Sequence, residues 1–211
     1  MRTQDRQARR RLGPEARTGA ILAAATRAFT DSSYDRVSVS TVAGAADASE
    51  ALVYRYFDSK AGLYTAVVRD RLERLAGRQA GAVAGLGPNS SARDLVRVSV
   101  EALLDHVQEH RAAWASPFFT GADEPAAVQE LRQKYRQEFT AGLAERLDNP
   151  GHRRARLAIT GFLGHLGATT QQWADDGCPA FDRAPLVEAA LGALQGGLGD
   201  WGSLRLRPRE A

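Results

Sequence analysis

Two groups of residues in this 211-residue chain carry chemistry. The first runs from Ser38 through Ser40, Thr41, Ser49, Glu50, Ala51, Leu52, Tyr54, Arg55 and Tyr56 to Lys60. Tyrosines that alternate with an arginine around a short helix bury poorly together, yet all three can donate hydrogen bonds to phosphate oxygens. Glu50 could accept from a cytosine amino group, and Ala51 or Leu52 could touch a thymine methyl. Lysine is scarce: Lys60 and Lys134 are the only two among 28 Lys+Arg, and one of them falls here. The second group is His106-Val107-Gln108-Glu109-His110, a literal H-x-x-E-H pattern whose histidines, four apart on a helix, could share a zinc ion. Three fixed positions recur often by chance, and this pattern falls near the expected end of a helix, where histidines commonly meet exposed carbonyls. A zinc-dependent hydrolase built on His106, Glu109 and His110 is therefore the lesser alternative, and catalysis is not expected.

The elements that must position the first group follow from its serines. Ser38 can accept from the N–H groups of a helix starting at Val39, and Ser49 can do the same for one starting at Glu50. Only a tight turn separates them. Val42, Ala43 and Ala46 share one side of the first helix, and Val53 and Phe57 one side of the second, so the pair closes a small core. Glu50, Ala51, Leu52, Tyr54, Arg55 and Tyr56 are left on the outer face, with Lys60 just past its end. This is a helix-turn-helix, and double-stranded DNA is the partner it suits.

From Glu15 to about Leu72 the chain resembles the TetR-type one-component transcriptional regulators. The resemblance rests on Ile21, Leu22, Ala25, Ala28 and Phe29 of an amphipathic first helix and a turn around Tyr34. It continues through Ser38-Val39, Val42-Ala43, Ala46, Ser49, Tyr54, Tyr56-Phe57, Lys60 and Leu63. Two positions depart from the family pattern: Asp47 stands where glycine is usual in the turn, and Ala48 where a larger apolar residue is usual. The resemblance implies an all-α fold, with a three-helix DNA-binding domain over 15–60 and a larger helical domain over 61–211 for effector binding and dimerisation. It further implies a homodimer on a palindromic operator, a repressor released by a small-molecule effector, with no cofactor or metal. A DNA-binding regulator controlled by a protein partner is the other alternative.

Charge is placed unevenly. Residues 1–74 hold 13 Arg+Lys against 9 Asp+Glu, whereas the remainder holds 15 against 16. Arg2, Arg6, Arg9, Arg10 and Arg11 lie ahead of Pro14 in a segment (1–14) too polar to fold alone, suited to act as a flexible arm on phosphates or in the minor groove. No apolar run approaches a membrane span or a secretory signal, and a lone cysteine, Cys178, fits a reducing compartment, so a cytoplasmic protein is expected. The acidic neighbours Asp175 and Asp176 make Cys178 an unreactive loop thiol rather than a redox sensor.

Past Leu72 the pattern predicts longer helices: about 61–78 with a stop at Gly85-Leu86-Gly87-Pro88, 90–110, a short one over 111–119, 123–147 with Pro125 in its first turn, 150–174 and 183–198. The aromatics beyond residue 100 gather in the middle helices. With His106, Trp114, Phe118, Phe139, His165, Thr169 and Trp173 as candidates, they predict an apolar effector pocket with a few polar groups. Gly161, Gly164, Gly167 and Ala168 in one helix, and Leu186, Ala190, Leu191, Leu194 and Leu198 in the last, predict an oligomerisation surface, and the resemblance implies that these helices pair with their copies in a second chain as a four-helix interface.

Overall fold

A computed structural model describes residues 13–110, 124–147 and 153–199. Its regular elements are α1 (Pro14–Asp31), α2 (Val39–Ala45), α3 (Glu50–Phe57), α4 (Lys60–Ala84), α5 (Ala92–Glu109), α6 (Ala126–Arg146), α7 (Arg153–Asp175), a 3-10 turn (Ala180–Asp182) and α8 (Arg183–Leu198). The all-α expectation holds, with an amino-terminal helix-turn-helix domain followed by a larger helical domain. The helix expected over 111–119 lies outside the described residues, as does the arm expected over 1–14 as far as residue 12, while Pro14 already opens α1. Side chains set the boundaries. Ser91 and Asp94 cap α5 reciprocally, the Ser91 N–H donating to Asp94 at 2.8 Å and the Asp94 N–H to Ser91 at 3.2 Å.

Apolar residues collect into two cores. The first joins Ile21, Ala24, Ala25 and Phe29 of α1 to Val42 and Ala43 of α2, Val53 of α3 and Leu63, Tyr64, Val67, Val68 and Leu72 of α4; Val128 of α6 also enters it. The second starts at Leu75 on α4 and packs α5, the end of α6, α7 and α8 together. Helix α4 therefore contributes to both. Arg71 sits at their border, buried, with its guanidinium donating to the Thr26 carbonyl at 3.1 Å and to the Thr30 hydroxyl.

The last two helices correct one expectation. Leu186, Ala190, Leu191 and Leu194 are buried in the second core of the chain itself, as are Leu163, Leu166 and Gly167 of α7. A helix turns its bulkiest apolar residues toward the largest area it can exclude from water, which here is supplied by α5 and α7. At the contact between α7 and α8, a Cβ added to Gly197 would lie 2.7 Å from Ala158 Cβ, so glycine sets their approach. The outward faces keep Leu157 (63% exposed), Gly161, Gly164 and Ala168 on α7 and Ala189, Gly192, Ala193 and Gly196 on α8.

The corner between α3 and α4 is the tightest in the fold's amino-terminal part. A Cβ on Gly62 would stand 2.1 Å from the Phe57 carbonyl oxygen, a backbone atom that cannot swing aside. Gly62→Ala should therefore lower unfolding free energy by about 1–3 kcal/mol. Gly44→Ala in exposed α2, where an added Cβ meets nothing within 4 Å, serves as the control, and should be neutral or stabilising by about 0.5–1 kcal/mol. Urea denaturation of both variants checks this; similar losses at the two sites would contradict the crowding at Phe57.

Candidate nucleic-acid interface

Helix α2 begins where Ser38 Oγ accepts from the Thr41 N–H at 3.1 Å, and α3 where Ser49 Oγ accepts from the Leu52 N–H at 3.3 Å. A third serine, Ser59, caps α4 by accepting from Gly62 N–H at 2.9 Å. Each cap satisfies a backbone donor that the first turn of a helix leaves without a partner.

The turn between α2 and α3 is closed by two backbone bonds, Ala48 N–H to Ala43 O at 2.9 Å and Asp47 N–H to Gly44 O at 3.3 Å, with Asp47 at φ 49°. That is a Schellman ending in which aspartate takes the left-handed place normally given to glycine. Arg17 on α1 reaches over and donates to the Asp47 carbonyl at 3.1 Å. At its other end α3 stops at Asp58, also left-handed at φ 61°, where the Ser59 N–H bonds back to Phe57 O at 2.7 Å. Left-handed backbone at a non-glycine residue costs roughly 1–3 kcal/mol, so α3 is bounded at both ends by aspartates in a costly backbone conformation.

Ser38, Ser40, Thr41, Ser49, Glu50, Ala51, Tyr54 and Arg55 all lie exposed. Val53 is buried, so the outward face of α3 is the polar one. The Ser38 hydroxyl lies 2.8 Å from that of Ser40 and 2.7 Å from that of Thr41, a cluster of donors at the start of α2. Three positions differ from the expected outer face. Leu52 and Tyr56 are half-buried, with Tyr56 packed on the first core. Lys60 is half-buried too: it forms the first turn of α4, donates to the Asp35 carbonyl at 3.2 Å and lies 4.6 Å from the centre of the Tyr34 ring. Its ammonium thus pins the loop before α2 to α4, a role its position past α3 did not reveal.

Tyr34 continues inward. Its ring lies 5.0 Å from Tyr64 and Tyr64 lies 4.8 Å from Phe29. The Tyr64 hydroxyl donates to Glu124 at 2.8 Å, and Glu124 in turn accepts from Arg132 Nε at 3.0 Å and Nη2 at 2.8 Å. Arg132 is fully buried and the Glu124 side chain nearly so. Burial and the Glu124 carboxylate push the Tyr64 phenol pKa well above its ordinary value. The start of α6 is thereby tied to the aromatic cluster beneath the interface by the Tyr64–Glu124 bond, with Glu124 itself held by the buried bidentate contact from Arg132.

Higher on α6, Tyr135 donates to Gln79 Oε1 at 3.0 Å while Gln79 Nε2 donates to Ser99 O at 3.1 Å, linking α6, α4 and α5. Above this link a groove of about 240 Å³ opens between α4 and α6. Of the effector candidates, Phe139 lines it. Trp173 is buried in the second core with its indole N–H on Pro179 O at 3.0 Å, and the Thr169 hydroxyl is taken by the His165 carbonyl at 2.9 Å. His165 is half-buried, and Trp114 and Phe118 lie outside the described residues.

His106 is buried against His110, their rings 4.8 Å apart and edge to face. Burial first, then the nearby His110, Arg71 and Arg78, press the His106 pKa down to about 4. The Glu109 carboxylate is held by Arg78 through bonds of 3.0 and 2.5 Å. Two arginines beside the imidazoles oppose a cation, and among the described residues no group of three or more His, Cys, Asp or Glu is placed to hold a metal ion. The zinc-hydrolase alternative thus finds no support in this geometry. Cys178 is buried with φ 58°.

Known proteins match this architecture. The family profile for bacterial regulatory proteins of the tetR family matches residues 21–67, the stretch from α1 into α4. The HTH-type transcriptional activator FasR of Mycolicibacterium smegmatis is 26% identical over 192 residues, spanning 89% of this chain and 85% of FasR. A TetR-like transcriptional regulator from Rhodococcus sp. RHA1 superposes with a TM-score of 0.69 at 25% identity, covering 90% of this chain and all of that one (100%). The fatty acid degradation regulator FadR from Bacillus halodurans shares the fold at 18% identity, with a TM-score of 0.69 over 89% of this chain and 98% of its own. The capped helix-turn-helix lies inside the segment that matches the tetR-family profile, and a TetR-like regulator shares the fold over nine-tenths of the chain, so the chain is similar to the TetR-type DNA-binding transcriptional regulators.

Proposed function

We propose that this regulator binds a two-fold symmetric operator as a homodimer, in the cytoplasm, and that a small molecule bound in its carboxy-terminal helical domain releases it, so that it acts as a repressor. The observation that carries the reading is the outward face of α3, exposed and polar between turns at Asp47 and Asp58, with Val53 turned to the first core. Residues 15–60 form the DNA-reading unit in this reading, and residues 61–211 the regulatory one. In this reading Glu50 and Ala51 meet base edges, whereas Ser38, Ser40, Thr41, Ser49, Tyr54 and Arg55 meet phosphates and fix the register. Leu52, Tyr56 and Lys60 support that surface from its edge. Both signs of control occur among similar proteins: FasR is an activator, and NalD of Pseudomonas aeruginosa, 21% identical with a TM-score of 0.57 over 85% of this chain and 96% of its own, is a repressor.

Arg55 is exposed and makes no ion pair or hydrogen bond among the described residues, as a phosphate ligand awaiting its partner would. Arg55→Ala should weaken matched and mismatched sites nearly alike and reduce the salt slope of binding by about one per half-site. Glu50→Gln should instead alter the preference at one base pair, by about 1–3 kcal/mol. Titrations over a range of salt concentrations measure both. An unchanged slope for Arg55→Ala removes it from the phosphate contacts, and an unchanged preference for Glu50→Gln leaves that carboxylate only as a favourable charge at the start of α3.

For the dimer, the small outward faces of α7 and α8 are the proposed contact, since Gly161, Gly164 and Ala168 against Ala189, Gly192, Ala193 and Gly196 would let two helix pairs approach closely. A side chain at Gly164 meets nothing within 4 Å in one chain, so Gly164→Arg should fold normally. It should sediment as a monomer and lose tight binding to a whole palindrome while keeping weak, salt-sensitive affinity for DNA. A Gly164→Arg protein that remains dimeric would move the interface elsewhere. Charges at Leu191 or Leu194, both at 0% exposure, should instead unfold the chain.

A further inference from the structure

The groove between α4 and α6 has a shape and a charge pattern that specify a ligand class. Its lining extends about 10 Å along α4, from Ala76 to Val83, and about 16 Å along α6, from Tyr135 to Arg146, at 1.5 Å per residue. With a volume of about 240 Å³ over such a length, the groove is long relative to its width. The slot exists because Ala76, Ala80 and Gly142 carry little or no side chain, and its walls are Val83, Leu95, Phe139 and Leu143.

The polar groups around it are unequal. At the inner end Gln79, Ser99 and Tyr135 are satisfied by one another, and the Ser99 hydroxyl donates to Leu95 O at 2.8 Å. Glu138, the one acid on the lining, lies 3.8 Å from Lys134 with its side chain 65% exposed. Arg146 at the outer end differs: half-buried, it makes no hydrogen bond or ion pair among the described residues. A guanidinium with part of its hydration removed and its donors unused is a receptor for a carboxylate, which it can grip through two parallel bonds.

We propose that this groove takes an extended aliphatic carboxylate, its chain lying along Val83, Leu95, Phe139 and Leu143 and its carboxylate on Arg146. This names the chemical class of the effector and rests on the effector-release reading above. Such a ligand would wedge α6 away from α4 beside the Tyr135–Gln79 bond, on the same helix whose amino-terminal end is seated on the first core by Val128 and by the Tyr64–Glu124 bond.

Calorimetric titration of the full chain with sodium decanoate and with 1-decanol, both below their aggregation limits, tests the class. Decanoate should bind about ten- to a hundredfold more tightly than 1-decanol. Arg146→Gln should weaken decanoate by a similar factor while leaving 1-decanol unchanged. Gly142→Phe, at a position where an added Cβ meets nothing within 4 Å, should fill the slot and abolish both without lowering the melting temperature of the free protein. Absence of decanoate binding, equal affinity for the alcohol, or decanoate binding insensitive to Gly142→Phe would each overturn the proposal. A wider compound screen then separates this failure from that of the effector reading. An uncharged compound that releases operator DNA from the wild type but not from Gly142→Phe would keep the groove as effector site and discard the carboxylate. A screen in which no compound alters operator binding would discard both.

Discussion

The arrangement of this molecule depends on one buried contact, the bidentate pair of Arg132 and Glu124 with the Tyr64 hydroxyl on the same carboxylate. A pair of ions withdrawn from water gains little net stability over an apolar replacement, but removing one partner costs about 3–5 kcal/mol, so the contact specifies geometry more than it adds strength. What it specifies is the seat of α6 on the amino-terminal core. Val128 enters that core one turn away, and the Tyr64 ring carries the contact on to Tyr34 and, through the cation above Tyr34, to Lys60. The groove and the DNA-reading surface lie at opposite ends of this connection, so a shift of α6 at one end has a physical route to the other.

The recognition surface itself is posed by backbone rather than by side-chain packing. Helix α3 has eight residues, of which Val53 is the buried anchor, too little area to fix an orientation alone. The angle is set instead by the left-handed aspartates at 47 and 58 and by the absence of a Cβ at Gly62. Three serine caps remove the cost of exposing backbone donors at each new helix start. These local devices act within a few residues of α3 and do not draw on the larger helical body below it.

That locality also explains what could be read from the sequence. Caps, turns and periodic apolar faces are encoded by near neighbours, so Ser38, Ser49, the turn at Asp47 and the outer positions Glu50, Ala51, Tyr54 and Arg55 were legible before any coordinates. Asp58 and Gly62 were not, because Phe57-Asp58-Ser59 contains none of the glycine or proline that usually marks a strained corner, and Gly62 looks like an ordinary helical residue. Lys60 reads in the sequence only as an exposed cation past α3; its clamp on Tyr34, with a bond across 25 positions to the Asp35 carbonyl, has no local signal. Glu124 and Tyr64, 60 positions apart, gave no local signal at all. The leucines of α8 were legible as one face but not as facing inward, since periodicity reports a stripe without naming its partner.

The central claim is that a two-fold pair of α3 helices reads DNA. Repeated selection of bound duplexes from a random pool with the wild-type chain tests it most directly. The account predicts a palindromic site whose half-sites are centred roughly one helical turn, about 34–36 Å, or a multiple of it apart. Failure to enrich any sequence, or enrichment of a single site without two-fold symmetry, would contradict it.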